Sequence, residues 1–148
     1  MGGLTNAMPD RLYVFLDANI LFSASYKADH AFLEFWHIPY VIAMTSLYAA
    51  NETRRNCVDD EHRKRLDHIL EQTFLVSDAL GDTLPPHIEL PAKDRPILRA
   101  AIQGGAHYLI TGDKGDFSKW MNQPIGTVYG SILIMQPRPF LNWIREKL

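Results

Sequence analysis

Short apolar runs alternate with helix-like stripes along this chain, and that alternation constrains its fold more than any other feature. RLYVFLD (11–17), PYVIAMT (39–45), FLVSD (74–78), AHYLITGD (106–113) and TVYGSILIM (127–135) are apolar and rich in β-formers. Such runs read as strands buried on both faces. ANILFSASYKADHAFLEFW (18–36) reads as one or two helices broken near Lys27–Asp29. SLYAANETRRNC (46–57) is helical with Thr45 or Ser46 as cap, and DEHRKRLDHILEQT (60–73) carries the stripe Leu66, Ile69, Leu70 behind Asp59 or Asp60. KDRPILRAAIQGG (93–105) puts Ile97, Leu98, Ala101 and Ile102 on one face, and PRPFLNWIREKL (137–148) does so with Phe140, Leu141 and Ile144. Residues 79–91, with a Pro pair and a turn-forming Gly-Asp, read as a loop. Strand–helix alternation of this kind predicts a three-layer α/β/α sandwich around a mostly parallel sheet.

The length of 148 residues suits one domain, expected over 11–148 behind a disordered leader, 1–10. The net charge of −2 provides no global positive field, so nucleic-acid binding would need local basic patches. A single cysteine, Cys57, excludes an internal disulfide and a cysteine zinc cluster, which fits a reducing cytoplasm. No apolar run approaches the ~20 residues of a membrane span. The histidines are scattered without zinc-ligand spacing, which favours structural or surface roles.

Four acids stand out by position. In a parallel sheet, ligand sites lie beyond the carboxyl ends of the strands. Asp17 and Asp113 each end a strand-like run there. Asp94 opens a helix that starts at the same edge, on the face of Ile97 and Leu98 rather than the wet face. Glu52 lies about two turns into the helix after 39–45. Each has a structural alternative: a cap for Asp17 and Asp94, an ion pair with Arg55 for Glu52, a turn acid for Asp113 and Asp116. Jointly those alternatives require a coincidence, because all land at one edge. Carboxylates gathered so closely raise one another's pKa or bind a cation. Oxygen ligands without Cys or paired His favour Mg²⁺ or Mn²⁺.

FLDANIL, Glu52 in AANETRR, AKDRPILRAAIQGGAHYLITGDKGDF and ILIMQPRPFL together resemble the PIN domain, and within it the group described as toxins of toxin–antitoxin pairs. The resemblance runs from about residue 11 to residue 143. It implies a metal-dependent endoribonuclease with acids at Asp17, Glu52, Asp94 and Asp113, and a further acid at Asp116. Asn19 and Thr111 match supporting polar positions. It also implies an antitoxin partner and a homodimer. How Asp113 and Asp116 divide the metal stays open.

One or two divalent ions held by these acids would activate water and offset charge in phosphodiester hydrolysis. Lys114, Arg54, Arg55, Lys93 and Arg95 flank the acids in sequence and are candidates for contacting RNA phosphates. The cluster HRKR (62–65) is a further basic candidate, and Phe32, Phe35 and Trp36 read either as core or as an interface. Gly112 is expected to let the backbone turn, and Phe117 to anchor the loop. Two other functional classes compete. A Mg²⁺-dependent phosphoryl-transfer or phosphatase-type protein would use Asp17 covalently, but a dehalogenase-type phosphatase wants an acid where Asn19 stands. A non-catalytic PIN-like module binding RNA or protein would have lost acids that are present here.

Overall fold

A computed structural model describes residues 10–78 and 84–147. The expected leader, apart from Asp10, and residues 79–83 of the expected loop lie outside the described residues. The chain runs β1 (Leu12–Leu16), α1 (Ala18–Tyr26), a 3-10 turn (Ala31–Trp36), β2 (Val41–Ser46), α2 (Leu47–Asn56), α3 (Asp60–Glu71) and β3 (Phe74–Val76). Further along the chain come α4 (Arg95–Gln103), β4 (Tyr108–Ile110), β5 (Pro124–Thr127), β6 (Gly130–Met135) and α5 (Pro137–Glu146). The strands form one sheet in the order β3-β2-β1-β4-β6-β5, parallel except for β5 against β6.

Strand β1 sits at the centre. Val14, Phe15 and Leu16 are each 0% exposed, so both of its faces are covered, as a three-layer sandwich requires. The chain leaves β1 toward β2 and β3 on one side and returns to β4 on the other. The β1–β4 seam is therefore the topological switch point, where crossovers diverge and leave a crevice at the carboxyl edge.

Local chemistry sets the helix ends. Ser46 Oγ accepts the Ala49 amide and Asp59 Oδ1 the His62 amide, each capping its helix. Pro96 falls in the first turn of α4, where its missing N–H removes no helical bond, and Gly104 ends that helix. The aromatic group 32–36 is part of the core. Phe35 is fully buried and stacks on Phe140 at 5.8 Å between centroids, and Trp36 Nε1 donates to Thr73 Oγ1 at 2.9 Å.

Two local readings change. The run 127–135 holds the last strand, β6, and the unexpected element is its hairpin partner: β5 pairs with β6 around Val128–Tyr129, with Gly130 at φ +123°. PIGT has weak strand propensity, and its pairing with β6 rather than its own sequence makes it a strand. In HRKR, His62 is fully buried. Its Nδ1 accepts the Val58 amide, so Nε2 carries the proton and reaches the Phe22 carbonyl and Ser25 Oγ. Arg65 donates to the carbonyls of Ser25 and Tyr26 at the end of α1. Half of that basic cluster therefore fastens α3 to α1.

Phe140 joins Phe35, Tyr108 and Trp143 in one aromatic group. Phe140→Ala is expected to lower unfolding free energy by about 3–5 kcal/mol, measured by urea denaturation. A loss below 1 kcal/mol would mean that α5 contributes little to the core.

Candidate metal centre

The carboxylates reach the switch point for separate local reasons. Asp17 ends β1 and caps α1, its Oδ1 accepting the Ala18 amide at 2.7 Å. Its Oδ2 accepts Thr111 Oγ1 at 2.8 Å and Asn19 Nδ2 at 3.4 Å. Asn19 Nδ2 also donates to Thr111 Oγ1 at 3.2 Å, while its Oδ1 accepts the Gly112 amide at 2.8 Å. The Thr111 hydroxyl further accepts the Asp113 amide at 3.1 Å. Asn19 and the buried Thr111 thus tie the end of β1 to the loop after β4.

Asp113 Oδ1 accepts the amides of Gly115 and Asp116, both at 3.0 Å. This turn carries Asp116 back beside Asp113, and the fully buried Phe117 pins the loop. Gly112 does not supply a left-handed turn, for among the described residues the glycines with positive φ are Gly105 and Gly130. The Asp113 side chain turns the chain instead.

Asp94 heads α4 with no side-chain capping bond. It is 7% exposed, and its Oδ2 is buried without a hydrogen-bond partner. Carboxylate oxygens of Asp94, Asp113 and Asp116 lie within 4.8 Å of one another. Asp17 and Glu52 stand outside that triad. They line the same cleft of about 490 Å³, together with Asn19, Lys93, Asp94 and Asp113.

The electrostatics follow from this crowding. Burial pushes Asp94 up to about 7, aided by a proton shared with Asp116 and by the charges of Asp116, Asp113 and Asp17. Asp116 is held below the usual carboxylate range by that bond with Asp94 and by Lys93, whose Nζ lies 3.3 Å from its Oδ2. Burial raises Asp17 to about 6 against the opposing hydrogen bonds of Thr111 and Ala18. A buried carboxylate oxygen without a donor, among further acids, is a poor solvation site for a proton-free group and a good one for a cation. Oxygen-only donors fit Mg²⁺ or Mn²⁺, and no His or Cys joins the cluster among the described residues.

Of the flanking cations, Lys93 lines the cleft. Arg54 pairs with Asp67 at 2.6 Å, and Arg95 Nη1 approaches the Ile88 carbonyl at 3.4 Å. Arg55 and Lys114 are exposed outside the cleft lining. Sequence reasoning did not single out Phe22, Ser23 and Asn56, which also line it. The available signal was helical spacing: 19, 22 and 23 share a face of α1, and 52 and 56 a face of α2.

No protein family matches this chain, and no curated protein does. Solved structures do. A chain of VapBC2 from Rickettsia felis, crystallised bound to a DNA fragment from their promoter, superposes with a TM-score of 0.62 at 13% identity. The match covers 84% of this chain and 98% of that one. The PIN domain endonuclease Utp24 matches at 18% identity over 85% of this chain and 93% of its own, with a TM-score of 0.45, too loose to bear on the fold. The chain shares the α/β fold of that VapBC2 chain.

The raised Asp94 gives a signed expectation. Folded Asp94 keeps its proton up to about 7 against an ordinary 3.8. The folded state therefore binds the extra proton between those values, and stability falls as pH rises through that window, with the deficit complete above it. Asp94→Asn should raise the metal-free melting temperature by roughly 5 °C at pH 8 and leave it nearly unchanged at pH 4, by calorimetry. A lower melting temperature at pH 8 would mean that the Asp94 charge is stabilising.

Proposed function

We propose that this protein is a Mg²⁺- or Mn²⁺-dependent endoribonuclease, acting in the cytoplasm as the toxin of a toxin–antitoxin pair. One observation carries the reading: carboxylate oxygens of Asp94, Asp113 and Asp116 converge within 4.8 Å, and Asp94 also holds a buried oxygen without a partner. The resemblance to the PIN domain and the fold shared with the VapBC2 chain support the nuclease class. The resemblance of KDRPILRAAIQGGAHYLITGDKGDF to PIN toxins, and the fold shared with a chain of VapBC2, support the pairing with an antitoxin and a homodimeric state. Among the described residues no helix is long and apolar enough to cross a membrane.

Asp94, Asp113 and Asp116 would hold the ion, with Asp17 and Glu52 completing the acidic wall. When bound, the ion supplies hydroxide near neutral pH and offsets charge on the phosphoryl oxygens. Asn19 and Thr111 fix the Asp17 carboxylate, so it meets the site in one orientation. Lys93 stands at the cleft with an exposed ammonium able to neutralise a phosphate oxygen. Hydrolysis would leave a 5′-phosphate and a 3′-hydroxyl.

The covalent phosphoryl-transfer alternative needs a free Asp17 nucleophile. Both Asp17 oxygens accept hydrogen bonds and the group is nearly buried, which opposes that role. The non-catalytic alternative has no feature in its favour, since each expected acid is in or beside the cleft.

With Mn²⁺ and a mixed RNA pool, the wild type should cleave, and Asp113→Asn and Asp94→Asn should each be slower by roughly 100-fold or more. Equal rates in all three proteins, with end-mapped products, would exclude this site.

A further inference from the structure

The cleft that the acids line also carries groups of a different chemistry: Phe22 and Ser23 on α1 and Asn56 on α2 line it as well. They lie about one helical turn beyond Asn19 and Glu52, roughly 5 Å farther along their helices. The half-buried Phe22 ring is fixed in orientation. It stacks on Tyr26 with centroids 5.9 Å apart and meets the buried His62 ring edge-on at 4.7 Å. Tyr26, 50% exposed, extends the aromatic row outward.

Asn56 is fixed too. Its Nδ2 donates to the Glu52 carbonyl at 3.0 Å, which sets the amide's direction. Its Oδ1 has no partner among the described residues and remains as an acceptor. An aromatic surface and an oriented amide oxygen in one cleft, one helical turn from Asn19 and Glu52, match how proteins hold an unpaired nucleobase.

We propose that Phe22 and Asn56 form a nucleobase subsite that selects single-stranded RNA by the base adjoining the scissile phosphate. Phe22 supplies the stacking contact. Asn56 Oδ1 accepts from an exocyclic amino group, so adenine, guanine and cytosine are favoured over uracil, which has none and offers only its N3–H flanked by two carbonyls. This rests on the nuclease reading, because that reading puts the phosphate at the acids.

Ribose 5-phosphate, AMP and UMP titrated into the full chain with Mg²⁺, by calorimetry, test it. AMP should bind about 10-fold tighter than ribose 5-phosphate and tighter than UMP. Asn56→Ala, at an exposed position, should erase the AMP-over-UMP preference without changing ribose 5-phosphate binding. Phe22→Leu should bring both nucleotides toward ribose 5-phosphate, and Phe22→Tyr should restore them. Ribose 5-phosphate binding as tightly as AMP would overturn the subsite while leaving the nuclease reading intact. Failure of all three ligands to bind would overturn both. An unchanged AMP-over-UMP preference in Asn56→Ala would remove Asn56 from the proposal.

Discussion

Everything at the carboxyl edge of this sheet answers to one electrostatic problem: a nearly buried carboxylate, Asp94, with an oxygen that nothing in the chain satisfies. Folding alone does not favour such a group, because burial and the neighbouring acids Asp116 and Asp113 both oppose its charge. The chain answers in part with a proton held at Asp94 and with Lys93 set against Asp116. Both answers are exchangeable, since a divalent cation can displace a proton and an exposed ammonium. The scaffold around them is not exchangeable. Thr111, Asn19 and Asp17 lock β1 to the loop after β4, and the Asp113 turn, pinned by Phe117, delivers Asp116. The rigid parts are held by hydrogen bonds, while Asp94 keeps a buried oxygen without a partner. That division is what a preorganised cation site requires.

The convergence also depends on topology. Because β1 is central and the chain crosses outward on one side and returns on the other, the β1–β4 seam opens at the carboxyl edge. Asp17 and Asp113 come from the two strands flanking that seam, Asp94 from the helix that returns to it, and Glu52 from the helix after β2. No two of these four are close in sequence, so only the fold assembles them.

Much of this was legible because strand order and helix register follow simple periodicities. Uninterrupted apolar runs marked β1, β2 and β4, and the position of Asp94 three and four residues before Ile97 and Leu98 aimed it at the sheet. What was not legible depended on tertiary partners. PIGT becomes β5 only against β6, and His62 looks like part of a wet basic run until Ser25 and Phe22 close over it. Sequence position does not show the partners of the cations: Arg54, two residues after Glu52, pairs with Asp67. Phe22 and Asn56 went unremarked because an aromatic and an amide on amphipathic helices carry no signal by themselves. Their meaning comes from the facing helix.

The central claim is that these acids form one cation site whose proton a metal replaces. Calorimetric titration of Mn²⁺ at pH 6, repeated in buffers of different ionisation enthalpy, measures that replacement directly. With Asp94 raised to about 7, binding should release about one proton per ion at pH 6 and progressively fewer toward pH 8.5. An absence of binding at millimolar Mn²⁺, or binding without proton release that persists in Asp94→Asn, would contradict the account.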